Sequence, residues 1–237
     1  MLKKPLQRIV FVFWLLSFGD LLAIALSNDW IHSIVKPLLM PALGLVLFNS
    51  PGRRDSKKLI AAGLLFSWLG DVFLLFESHR LIFFILGLAS FLITHICYII
   101  HFLAIRSQAP SLLKKQPLYI LLIIGYGAGL VLLLYNDLGP LKIPVIMYAT
   151  VICSMLLCSI HIYSKVNFPG NLYYVTGALL FVMSDSILAV NKFYHSITLA
   201  GVWLMLSYCA AQFFIIKGFA ESGLSKERRR PLPNIPV

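Results

Sequence analysis

The chain has 237 residues, 59% of them hydrophobic and only 12% charged, with a net charge of +11 and a mean hydropathy of +0.88. Soluble domains run about 45–50% apolar and about 25% charged, so this composition excludes an ordinary soluble domain and indicates a polytopic membrane protein. The positive charge marks no nucleic-acid face, because the Lys and Arg residues sit in short loops between apolar runs and form no basic patch interleaved with aromatics.

Eight apolar runs are long enough to cross a hydrocarbon core of about 30 Å as helices of about 17–25 residues. They cover roughly 9–27, 31–48, 59–76, 81–105, 117–135, 141–163, 172–190 and 196–216. The prediction is an all-α fold of eight transmembrane helices, residues 1–220 forming one membrane domain. The first run follows Lys3, Lys4 and Arg8 and contains Ala23-Ile24-Ala25, which resembles a signal-peptidase site. It is longer than the about 7–15 apolar residues of a signal peptide and carries Asp20, so a retained span is expected. Residues 221–237, with the run KERRR and three prolines, read as a basic, disordered cytoplasmic tail attracted to anionic headgroups.

The basic residues set the orientation. Sixteen of the 20 fall on one side of the predicted bundle, beginning with Lys3, Lys4 and Arg8 and ending with the C-terminal cluster. The other side receives Arg80, Lys142 and Lys192, and Lys36 lies inside a span. Both termini are therefore expected on the cytoplasmic side, and the membrane expected is a bacterial inner membrane. The cysteines Cys97, Cys153, Cys158 and Cys209 all lie in apolar runs without CxxC or zinc-ligand spacing, and read as small apolar residues.

Span three carries a carboxylate within an apolar frame, GLLFSWLGDVFLL, around Asp71. The frame recurs 114 residues later as GALLFVMSDSILA around Asp185 in span seven. Each reads Gly, six residues, a small residue (Gly70 or Ser184), Asp, two residues, Leu. A carboxylate inside a membrane span is costly and points to function. Spans three and seven run the same way, which suggests a 4+4 internal repeat of parallel halves. Tyr98 lies 27 residues after Asp71, and Gln212 lies 27 after Asp185. Lys36, beside Pro37 and Pro41 in span two, is expected at the depth of both aspartates. Two ionised carboxylates and one ammonium leave a negative charge uncompensated, so one proton shared between the aspartates is the favoured state. That gives a carboxylic acid and a carboxylate side by side, an acid/base pair. Further polar groups inside the spans are His95, Tyr98, Tyr148, Tyr208 and Gln212, each suited to interhelical hydrogen bonding or to contact with a substrate. Asp20 lacks the repeated frame and reads equally as a supporting contact or as a water-facing residue. No HExxH, GxSxG, phosphate loop or dinucleotide fingerprint occurs.

The residues in order resemble the YhhN-like lysoplasmalogenases, a family of eight-span membrane proteins. The resemblance rests on Lys36-Pro37 with Pro41, Gly70-Asp71, His95 with Tyr98, Pro144 with Tyr148, Phe181, Ser184-Asp185, Asn191, Phe193, and Tyr208 with Gln212. It implies hydrolysis of the vinyl ether bond of lysoplasmalogens to a fatty aldehyde and glycerophosphoethanolamine or glycerophosphocholine. It also implies Asp71 and Asp185 as catalytic residues, with Lys36, His95, Tyr98, Tyr148, Ser184, Asn191, Tyr208 and Gln212 binding substrate or supporting the site. No metal or organic cofactor is required by that chemistry, and the partners expected are the lysophospholipid and the surrounding lipids. The same pair of carboxylates would also suit a proton-coupled transporter. An intramembrane aspartyl protease is disfavoured, because Trp68-Leu69-Gly70-Asp71 stands where that family carries GxGD.

Overall fold

In a bilayer every backbone donor and acceptor must be satisfied within the protein, and a run of about 20 apolar residues does this only as a helix. The computed structural model describes residues 4–228, and among the described residues it is all-helical, without strands. The elements are α1 (Lys4–Ala25), α2 (Asp29–Asn49), α3 (Arg54–Leu75), α4 (Leu81–Leu103), the single turn α5 (Leu112–Lys115), α6 (Leu118–Leu134), α7 (Lys142–His161), α8 (Gly170–Phe193) and α9 (Ala200–Arg228).

Seven of these helical segments are long and apolar enough to cross a membrane. The fifth expected span, α6, has 17 residues. At ~1.5 Å per residue it reaches only ~25 Å, short of a ~30 Å hydrocarbon core. Seven spanning segments are thus assigned by length and composition, one fewer than the sequence pattern suggested. Helix α9 continues through residues 221–228 of the expected tail, and residues 229–237 lie outside the described residues.

The long helices other than α6 form a closed circuit. Each packs against the next in the order α1, α2, α3, α4, α7, α8, α9, and α9 returns to α1. Helix α1 belongs to this circuit, with Phe13 fully buried and stacked at 6.2 Å on Phe213 of α9. Helix α6 leans on α7 and α8 from outside and buries only Gly127 and Leu134. The outward faces are apolar: Phe11, Leu121, Leu132 and Ile143 are each more than two-thirds exposed. That surface suits lipid rather than water.

Two local devices position the polar interior. Pro41 has no N–H for the carbonyl of Pro37 one turn earlier, and the indole Nε1 of Trp68 on α3 donates to that oxygen at 2.9 Å. The proline-bearing turn of α2 is thereby tied to the helix that carries Asp71. At Gly177, an added Cβ would stand 2.9 Å from the carbonyl oxygen of Ala211 and 3.0 Å from the nitrogen of Ile215. Only a glycine lets α8 approach the backbone of α9 so closely.

Candidate active site

The interior holds two polar clusters. In the first, Ser67 and Asp71 lie one turn apart on α3 and face Gln212 and Tyr208, one turn apart on α9. The Tyr208 hydroxyl donates to Asp71 Oδ2 at 2.7 Å. Gln212 Nε2 donates to Ser67 Oγ at 2.7 Å, and the Tyr98 hydroxyl donates to Gln212 Oε1 at 2.7 Å. Ser67 in turn donates to Thr94 Oγ1 at 3.1 Å, and Thr94 donates to the carbonyl of Gly63. All these side chains are buried, so the network ties α3, α4 and α9 together with few polar groups left over.

The charges within reach of Asp71 are the ammonium of Lys36 and the carboxylate of Asp20. Lys36 is buried, and among the described residues it makes no ion pair within 4 Å. Asp20 is fully buried, with Oδ1 2.8 Å from His32 Nδ1. A grouping of two carboxylates and one ammonium therefore exists, and the second carboxylate in electrostatic reach of Asp71 is Asp20. Sequence reasoning left Asp20 evenly between a supporting contact and a water-facing residue, and did not single out His32; Asp20 is in fact buried. The available signal was the one-turn spacing of His32 and Lys36 on α2, with Asp20 in the preceding span.

The second cluster surrounds Asp185 on α8. The Tyr148 hydroxyl of α7 donates to Asp185 Oδ2 at 2.5 Å, and His95 Nε2 of α4 lies 3.3 Å from the same oxygen. His95 Nδ1 bonds the carbonyl of Phe91, which leaves Nε2 facing Asp185 outside hydrogen-bond alignment. With a protonated ring this would be an ion pair. The Asp185 side chain keeps 13% of its surface, against 1% for Asp71. That surface opens into a cleft between α6, α7 and α8, lined by Tyr126, Leu130, Val145, Tyr148, Ala149 and Val182 among others. Its volume of about 40 Å³ exceeds the ~10–15 Å³ that one water needs.

No hydrogen bond or ion pair joins Asp71 to Asp185 among the described residues. The clusters meet through rings: Phe181, one turn before Asp185, packs 4.8 Å from His95 and 5.6 Å from Tyr208. Of the other residues singled out in the sequence, Tyr98 and Gln212 bond each other rather than a carboxylate. Ser184 donates to the carbonyl of Leu204 at 3.2 Å and so serves the α8–α9 contact. Asn191 accepts from the N–H of Ile197 and fastens the α8–α9 loop.

A family model described as the YhhN family matches residues 31–219, which include Lys36, both repeated aspartates and every residue bonded to them. The chain belongs to the YhhN family. Among curated relatives of this YhhN-family chain, a protein named Lysoplasmalogenase TMEM86A from Bos taurus is 27% identical, covering 90% of this chain and 85% of its own length. Lysoplasmalogenase TMEM86B from Mus musculus is 30% identical, covering 79% of this chain and 75% of its own length. A Lysoplasmalogenase from Mycobacterium bovis is 27% identical over 79% of this chain and 71% of its own length. No solved structure matches it.

Proposed function

We propose that this YhhN-family protein hydrolyses the vinyl ether bond of lysoplasmalogens, releasing a fatty aldehyde and glycerophosphoethanolamine or glycerophosphocholine. The observation that carries the reading is the cleft between α6, α7 and α8, apolar along its walls and bordered by the Asp185 carboxylate. A lipid with a single chain needs a lateral apolar approach to a reactive polar group, and this cleft offers one. The names of the mammalian and mycobacterial relatives supply the substrate class.

In the proposed reaction Asp71, as the acid, adds a proton to the outer alkene carbon. The C=C electron pair forms the new C–H bond and leaves an oxocarbenium ion. Water attacks the carbon bonded to the ether oxygen while Asp185 takes the water's proton, and the hemiacetal collapses to aldehyde and glycerol hydroxyl. Paired carboxylates serve glycosidases against a related oxocarbenium-like transition state. Tyr148 and Tyr208 hold the two carboxylates in place, and Lys36 offsets the charge left on Asp71 or meets the lipid phosphate. Phe181 lies between the clusters and would turn aside for both carboxylates to reach one bond.

Eight spans in a 4+4 repeat, with both termini cytoplasmic, complete the proposal. Support comes from the helix starts: α6, α7, α8 and α9 begin between 113 and 119 residues after α1, α2, α3 and α4. The partners also correspond, since Asp71 is met by Tyr208 on the last helix of the second half and Asp185 by His95 on the last helix of the first. Tyr98 and Gln212, equivalent in the repeat, bond to each other. Helix α6 would cross where flanking residues snorkel or the bilayer thins.

The test is aldehyde release from lysoplasmenylethanolamine by the purified protein in detergent. Asp71→Asn and Asp185→Asn are each expected to lose at least about 100-fold in kcat, the lower range of general acid–base contributions. Wild-type rates in both variants would rule out the carboxylate mechanism.

A further inference from the structure

The proposed chemistry leaves one buried carboxylate unused. Asp20 on α1 is fully buried; Oδ1 meets His32 Nδ1 at 2.8 Å, and Oδ2 has no hydrogen-bond partner in the protein. His32 keeps 20% of its side chain exposed, so the pair leads inward from the end of the bundle where α1 turns into α2. Lys36 follows His32 by one turn on the same face of α2.

The reaction itself creates a need for such a pair. Each turnover moves a proton from Asp71 into a C–H bond, while the attacking water gives its proton to Asp185. No direct bond connects the two aspartates, and Asp71 is 1% exposed with Tyr208 as its direct donor. Asp71 must regain a proton from outside before the next turnover, and the proton on Asp185 leaves in exchange.

We infer that His32 and Asp20 form the proton-return path from the aqueous end of the bundle to Asp71. The inference rests on the hydrolysis proposed above. The ionisable groups near Asp20 are His32 from α2, Asp71 from α3 and Cys209 from α9, with Lys36 of α2 near Asp71; Asp29 stands exposed at the start of α2. With Lys36 charged and both carboxylates ionised, one more proton makes the cluster neutral. The total charge is the same whether that proton sits on His32 or on Asp71. Transfer between them therefore adds no net charge to a poorly solvated interior, where net charge is costly. Asp20 touches the half-buried ring with one oxygen and keeps the other to accept from a bridging water.

The experiment follows aldehyde release against pH, from about 5.5 to about 8.5 around the ~6.5 of free histidine, for wild type, His32→Ala and His32→Gln. The glutamine variant retains an N–H for Asp20 but does not titrate. Both variants are expected to keep wild-type KM, and His32→Gln, which still pairs Asp20, to keep the wild-type melting temperature, while kcat falls by about tenfold at the alkaline end and recovers toward acid. Added imidazole is expected to restore the alanine variant. A deficit that is equal at every pH and indifferent to imidazole would make the pair structural and overturn the path. Wild-type rates in both variants at every pH would also overturn it, leaving the hydrolysis standing. Absence of aldehyde from the wild type would defeat the hydrolysis, and the path with it.

Discussion

Replacing Tyr208 with Phe removes one oxygen while the ring keeps its places 5.8 Å from Phe91 and 5.6 Å from Phe181. The change therefore isolates the 2.7 Å hydrogen bond to Asp71. Both partners are buried, so no bulk water replaces the lost donor. A hydrogen bond to a charged group contributes about 1.5–3 kcal/mol. At about 1.4 kcal/mol per tenfold, a transition state that uses this bond fully would be reached about 10- to 100-fold more slowly. Steady-state aldehyde release gives kcat and KM, and thermal unfolding in detergent gives stability. The expected result is a fall in kcat of that size with little change in KM. A Tyr208→Phe protein within about twofold of wild type in kcat, and unchanged in stability, would refute the assigned role and its ~1.5–3 kcal/mol. Tyr148→Phe makes the matching test at Asp185. Tyr148 and Tyr208 bond different carboxylates, so their stability losses should add. Their losses in kcat should not add if both carboxylates serve one transition state.

Gly177→Val would drive a side chain into the Ala211 carbonyl and the Ile215 nitrogen. Backbone cannot swing away as a flexible side chain can, so a loss of at least about 1–3 kcal/mol is expected. It would be read as a lower unfolding temperature or loss of monodisperse protein in detergent; an unchanged melting curve would contradict the close α8–α9 approach. Trp68→Phe takes away the donor to the Pro37 carbonyl and should cost about 1–3 kcal/mol, toward the lower end because that site is only part-buried. Unfolding at the wild-type temperature would show that the open carbonyl of Pro37 in α2 needs no such tie.

Much of the architecture was legible because lipid leaves a sequence few options. The positions of the long helices follow from apolar length, and hydrogen bonding permits only helices there. Helix α6 shows the boundary of that logic. Residues 117–135 pass as a span by hydropathy, yet the helix closes at Leu134 after 17 residues and few of its side chains enter the core. Which faces of a uniformly apolar helix are buried is set by its neighbours, and periodicity is nearly silent where every face is apolar. The repeated Asp frames marked both carboxylates because an ionisable group stands out against Leu and Phe. Tyrosines and histidines are common enough in membrane spans to carry no such contrast, so Tyr148 and Tyr208 could be named as polar residues but not matched to Asp185 and Asp71.

By itself, then, the sequence determined the class of the fold and the family, and it singled out the two carboxylates of the repeated frames. Those properties depend on composition and on local pattern along the chain. Only the tertiary structure decided which groups meet: that Asp20 joins Lys36 in reach of Asp71, that Asp185 faces His95 and a cleft, and that Phe181 stands between the two clusters. These pairings join residues as far as 137 positions apart. They follow from how neighbouring helices rotate and approach, through contacts such as Gly177 on α9 and Trp68 on the Pro37 carbonyl of α2, which no single span encodes.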